Sequence, residues 1–147
     1  MRAVIQRVSQ ARVVVDGESV GEINKGILLL VGFAADDGDK EIDYIIDKTV
    51  NLRIFEDADE KMNLSLIDID GGLLVVPNFT LYGDTRKGRR PGYSSGAPPA
   101  IAEKIYNRFV ETVKSKYAKV ETGVFQASMQ VGLINDGPVT LVLDTRN

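Results

Sequence analysis

The sequence predicts an α+β fold: one domain of mostly antiparallel β-sheet, forming a barrel-like core, with two helices. Three observations carry the prediction. Short apolar segments, some alternating with polar residues and some continuous, are separated by turns rich in Gly, Asp and Pro. Only two segments place apolar residues at helical spacing, around 42–50 and 101–113. At 147 residues the chain is a single domain over 1–147, long enough to bury a sizeable core.

Residues 1–34 read as three strands. Ala3, Ile5, Val13 and Val15 alternate with polar neighbours, and Asp16-Gly17 is a hairpin signal. Ile27 to Val31 is continuously apolar, the pattern of a strand buried on both faces. The acidic break Asp36-Asp37-Gly38-Asp39 supplies N-cap candidates for a helix whose inner face is Ile42, Ile45, Ile46, Thr49 and Val50. Leu52–Phe55 reads as a short strand before the polar turn Glu56–Lys61. Leu64–Ile69 fits helix or strand equally, and Gly71-Gly72 leads into a strand at Leu73–Val76. Residues 83–97 form a long surface loop, a length usually kept for function. Pro98-Pro99 opens the second helix, with Ile101, Ile105, Phe109 and Val113 inward. Strands at Met129–Ile134 and Val139–Leu143, joined by Asn135-Asp136-Gly137-Pro138, close the chain.

Composition narrows the function classes. Hydrophobic content of 44% and charged content of 27% are those of an ordinary globular chain. No run approaches the roughly 18 apolar residues of a membrane span, and MRAVIQRV lacks the features of a secretion signal. A cytoplasmic protein is the expectation, with no membrane partner. A net charge of −3 argues against indiscriminate nucleic-acid binding, DNA included. With no His and no Cys, no metal site is expected, and neither imidazole nor thiolate chemistry is available. The acidic groups Asp57, Asp59, Glu60 and Asp68, Asp70 read as solvated turns.

Chemistry concentrates in LLVVPNFTLYGDTRKGRRP, Leu73 to Pro91. Thr80 is a lone hydroxyl at the end of an apolar strand, followed by the cations Arg86, Lys87, Arg89 and Arg90. As a nucleophile Thr80 needs a base, because an alcohol is weak at its free pKa. The neighbouring Asp84 is a poor base toward an alcohol. The alternative is a positioning role, with main-chain N–H groups polarising a carbonyl, each such donor contributing about 3–4 kcal/mol. In Asn135-Asp136-Gly137-Pro138-Val139-Thr140 an ordinary turn is the default. A cis Gly-Pro would instead set two carbonyl oxygens as a rigid gauge of ligand shape; cis forms occur at about 5–6% of X-Pro bonds in folded proteins.

Several long motifs in one order, MRAVIQRV, LRIFED, KMNLS, NFTLYGDTRKGRRP, TGVFQASMQV and NDGPVT, make the chain similar to the D-aminoacyl-tRNA deacylase family over essentially its whole length. The resemblance implies a homodimeric hydrolase that cleaves the ester between a D-amino acid and the 3′-terminal adenosine of tRNA. It implies no cofactor. Glycine mischarged on tRNA(Ala) is a further substrate in the family. There the Gly-Pro pair, here Gly137-Pro138, is cis and enters the neighbouring subunit's pocket, where it excludes L side chains. By the same resemblance Thr80 and Phe79 are the catalytic pair. Thr80 acts either as a nucleophile or, with main-chain N–H groups and the substrate's own 2′-OH, as an orienting group. Asn78, Phe125, Met129 and Arg7 join Gly137 and Pro138 in binding substrate. One departure is plain: the family usually has Ser-Gln where this chain has Pro77-Asn78.

Overall fold

The computed structural model describes residues 1–147. The chain opens with β1 (Arg2–Val15), β2 (Glu18–Ile23) and β3 (Gly26–Gly32), the three strands expected. Asp16 and Gly17 lie at φ of 50° and 79°, the left-handed backbone that a two-residue hairpin requires. β1 serves three partners. Its first half pairs antiparallel with β3, from Arg2↔Gly32 to Val8↔Gly26. Its second half pairs with β2, from Ala11↔Ile23 to Val15↔Glu18. The last strand, β8 (Gln130–Asp144), runs along β1 from Arg2↔Asp144 to Val14↔Gln130 and so takes the opposite edge.

Past β3 the sheet continues in parallel through β6 (Gly72–Pro77) to β7 (Val120–Thr122). Parallel neighbours need crossover connections. α1 (Asp39–Asn51) lies in the first crossover and α3 (Pro99–Lys116) in the second. β2 curls back to meet the far edge: a Cβ on Gly21 would lie 2.8 Å from the Thr122 carbonyl oxygen of β7 and 3.2 Å from Leu74 Cδ1 of β6. Only glycine permits that approach, and with it the sheet nearly closes into a barrel.

Both faces of the central strands are buried. Ala3, Ile5, Ile27, Leu29, Val31, Leu73 and Val75 join the core shared with α1 and α3. Val8, Ala11, Val13, Leu28, Leu74 and Val76 form the second core. The unbroken apolar run Ile27–Val31 has this cause. In α3 the buried stripe is Ala102, Ile105, Tyr106, Phe109 and Val113. Ile101, expected inward, is exposed, because Ala102 continues the 3.6-residue stripe better.

There are three α-helices rather than two. The third is α2 (Leu66–Ile69), in the segment whose reading was open. Ser65 Oγ accepts from the Asp68 N–H at 3.1 Å and Asp68 Oδ2 accepts from the Ser65 N–H at 2.8 Å, a reciprocal capping box. Leu52 caps α1 rather than starting a strand. The strand begins at Phe55, where β4 (Phe55–Glu56) pairs with β5 (Met62–Leu64). Their turn is closed by the Asp57 carboxylate, which accepts from the N–H groups of Asp59 and Lys61 and from Asn63 Nδ2. No helix is long and apolar enough to cross a membrane.

The two expected C-terminal strands are one strand with an interruption. Val8 pairs with Asn135 and Gln6 with Thr140, so the four residues Asp136–Val139 leave the ladder opposite Arg7 alone.

Candidate active site

Where β6 ends, the chain turns into a 3₁₀ helix over Phe79–Tyr82. A cleft of about 860 Å³ opens there. Asn78, Phe79, Phe125 and Met129, all expected in the site, line it. Much of its remaining wall was not foreseen, including Leu30, Phe33 and Val76, Tyr93, and the Gly96–Pro99 segment that leads into α3. The signal was present, since the long loop returns through an aromatic and a run of small residues and prolines. Thr80 follows Phe79 at the lip and is exposed. Arg7, Gly137 and Pro138 do not line this chain's own cleft.

The turn is organised by Asn78. Its N–H donates to the Val31 carbonyl at 2.8 Å, which carries pairing with β3 one residue beyond Pro77. Its Oδ1 accepts from the Thr80 N–H at 3.2 Å and from the Thr80 hydroxyl at 2.5 Å. An amide oxygen only accepts, so the Thr80 proton points at Asn78 while the hydroxyl's lone pairs stay free. An amide oxygen is no base for that proton. The nearby carboxylate of Asp84 accepts from Arg86 Nε at 2.9 Å and Nη2 at 2.7 Å. Those bonds hold its pKa well below the usual carboxylate range, which makes it a weaker base still. The Thr80 amide is committed to Asn78. Phe79, first in the turn, has no acceptor for its N–H within the turn. Within the turn the Phe79 N–H is left without a partner, and the Thr80 hydroxyl keeps its lone pairs free.

Phe79 is 64% exposed, and its ring meets the edge of Tyr93 at 5.2 Å between centroids. Phe125 stacks on Tyr106 at 5.8 Å. Tyr106 is buried, its hydroxyl donates to the Gly123 carbonyl at 3.1 Å, and burial pushes its pKa up to about 12. It is a fixed, neutral support beneath one wall of the cleft.

Arg7 is 6% exposed, on the same inward face of β1 as Ala3 and Ile5, not a solvated strand residue. Its Nε donates to the Asp136 carbonyl at 2.8 Å and its Nη1 to the Ile54 carbonyl at 2.7 Å. A buried guanidinium thus braces the excursion Asp136–Val139 against the barrel. Within the excursion Asn135 Oδ1 accepts from the Val139 N–H at 3.0 Å and Asn135 Nδ2 donates to the Val139 carbonyl at 3.0 Å. Gly137 and Pro138 stand exposed at its tip, joined by a cis peptide.

A family model described as D-Tyr-tRNA(Tyr) deacylase matches residues 4–144. A D-aminoacyl-tRNA deacylase from Thermosipho africanus is 59% identical over 146 residues, covering 99% of this chain and 98% of the relative. One from Clostridioides difficile is 58% identical over 145 residues, covering 99% and 97%. Among solved structures, a protein described as c-Myc DNA Unwinding Element Binding Protein superposes with a TM-score of 0.94 at 39% identity, over 99% of both chains. A probable eukaryotic D-amino acid tRNA deacylase shares the fold, with a TM-score of 0.83 at 17% identity over 97% of both chains. The cleft therefore belongs to a hydrolase acting on the ester bond of aminoacyl-tRNA. The chain is a member of the D-Tyr-tRNA(Tyr) deacylase family.

Proposed function

We propose that this protein removes D-amino acids from tRNA as a homodimer, binding the 3′-terminal adenosine and its amino acid in the cleft beside Phe79. The observation that carries the reading is the division of the site. Asn78, Phe79, Phe125 and Met129 line the cleft, while this chain's Gly137-Pro138 stands outside it at the tip of a braced, exposed excursion. A second copy has a surface to use. The outer edge of β8 pairs with no strand of this chain, and Ile134, Leu141 and Val142 on it are exposed. An unpaired edge bearing apolar side chains is where another chain docks. In the dimer Gly137-Pro138 closes the partner's cleft as a main-chain wall, which rejects L side chains more stiffly than a flexible side chain. Glycine has no side chain to reject, so glycine mischarged on tRNA(Ala) is hydrolysed too. The protein acts in the cytoplasm and its chemistry needs no cofactor.

Thr80 positions rather than attacks in this reading, because its proton is directed at an amide oxygen and no base is at hand. The Phe79 N–H polarises the ester carbonyl, and the substrate's 2′-OH activates water. D-Tyrosyl-tRNA(Tyr) should be hydrolysed rapidly and the L form negligibly, as measured by loss of labelled amino acid from tRNA. Equal rates on the two forms would remove the stereochemical role of Gly137-Pro138. Thr80→Ala should retain substantial activity, whereas D-tyrosyl-tRNA(Tyr) lacking the 2′-OH should be inert. Complete loss of turnover in Thr80→Ala with substrate binding intact would restore the nucleophile.

A further inference from the structure

The loop 84–92 is the most strongly charged exposed segment beside the cleft, and the reaction chemistry described above makes no use of it. It carries Arg86, Lys87, Arg89 and Arg90 against the single carboxylate of Asp84, in a chain whose net charge is −3. Asp84 and Gly92 close its base with two main-chain hydrogen bonds, at 2.7 and 2.9 Å. The residues between them are exposed. Asp84 takes Arg86 in a two-pronged pair, which stiffens the outgoing arm. Lys87, Arg89 and Arg90 form no ion pair with any carboxylate of the chain; other unpaired cations, such as Arg12, Lys61 and Lys104, lie apart from one another in the sequence, whereas these three share one loop. Three cations clustered on one loop without counter-charges repel one another, and an anion relieves that repulsion.

The loop springs directly from the cleft wall. Tyr93 follows its base, lines the cleft and meets the Phe79 ring. Arg90 is three residues from Tyr93, so their Cα atoms are no more than about 11 Å apart. A polyanion that ends in the cleft must leave it past this arm or past the opposite rim. We propose that Lys87, Arg89 and Arg90 are a phosphate-binding arm that holds the RNA strand leading into the cleft. The inference rests on the deacylase reading for the identity of the strand, namely the single-stranded 3′ end and acceptor-stem phosphates of tRNA. The negative net charge gives the arm its use. The rest of the surface repels RNA weakly, so productive encounters are those that begin at the arm. Its guanidinium groups also suit phosphate geometry.

The test compares wild type with the triple variant Lys87→Gln/Arg89→Gln/Arg90→Gln on two substrates, D-tyrosyl-tRNA(Tyr) and D-tyrosyl-adenosine. Binding of deacylated tRNA is measured alongside, from 50 to 200 mM salt. On the full tRNA kcat/KM should fall by about tenfold or more with kcat retained, and the slope of log affinity against log salt should flatten by about 2. Hydrolysis of D-tyrosyl-adenosine, which has no phosphate, should not change. Wild-type behaviour of the variant on tRNA would overturn the arm, as would equal losses on both substrates. A change in oligomeric state on sedimentation, with tRNA affinity unchanged, would assign the loop to a protein contact and also overturn it. Wild-type protein that hydrolyses neither substrate, while the variant still loses tRNA affinity, would overturn the deacylase reading and leave the arm standing.

Discussion

Phe109→Ala is expected to lower folding stability by about 3–5 kcal/mol. Phe109 is fully buried, lies in the core shared by the helices and the sheet, and meets the edge of Phe33 at 6.3 Å. Truncation removes the transfer energy of a benzyl group and leaves a cavity between α3 and β3 that these rigid elements fill only in part. For a domain with about 5–15 kcal/mol to lose, that is a large fraction. Urea denaturation followed by circular dichroism measures it. A loss under about 2 kcal/mol would mean that α3 settles into the space. The change also reaches the cleft, because Phe33 lies between Phe109 and the pocket it lines.

The second large effect is expected at Arg7. Arg7→Met keeps the length and apolar stem but removes the donors to the Asp136 and Ile54 carbonyls. Leaving the buried Ile54 carbonyl unpaired costs about 1–3 kcal/mol, and the Asp136 carbonyl, on an exposed residue that water reaches, adds little. The functional consequence distinguishes bracing from mere stability. With the excursion Asp136–Val139 no longer tied to the barrel, hydrolysis of the L substrate should rise relative to the D substrate. Discrimination should drop toward the roughly 10–200-fold that an apolar pocket attains for one methyl group. The ratio of the two initial rates at a temperature where the variant stays folded decides it. A stability loss with an unchanged ratio would confine Arg7 to the fold.

Much of this architecture is legible in the chain because local chemistry and tertiary demand agree there. Asp16-Gly17 adopts the turn its residues favour, Ile27–Val31 is buried on both faces, and the Ile42–Val50 stripe faces the sheet. Disagreements arise where long-range geometry decides. Nothing local says that β6 lies parallel to β3, or that a three-residue strand at Val120 completes the sheet. α2 is too short to show periodicity, and only its Ser65–Asp68 capping pattern announces it. The site divides the same way. Thr80, Phe79 and Asn78 are contiguous, so one motif locates them. The resemblance singles out Arg7, but its bracing role stays hidden until its carbonyl acceptors on distant segments are known. Tyr93 reaches the cleft through the return of a loop, and Tyr106 supports Phe125 beneath its wall from α3, neither visible in one dimension.

The excursion opposite Arg7 has a consequence for how this protein can change. Four residues leave the ladder there and one residue faces them, with regular pairing from Gln6 back to Arg2 and a second, smaller register shift between Val8 and Gln10. How far the tip projects is therefore set by a count of residues rather than by side-chain character. Deleting one residue either draws the projection in to three residues or, where the projection keeps four, shifts the strand that follows by one step. Because strand faces alternate, that step would turn Leu143 outward and Val142 inward. Single insertions and deletions at the excursion therefore change its shape most directly, and so does any side chain at Gly137, whose Cβ would lie 2.3 Å from the Val139 nitrogen.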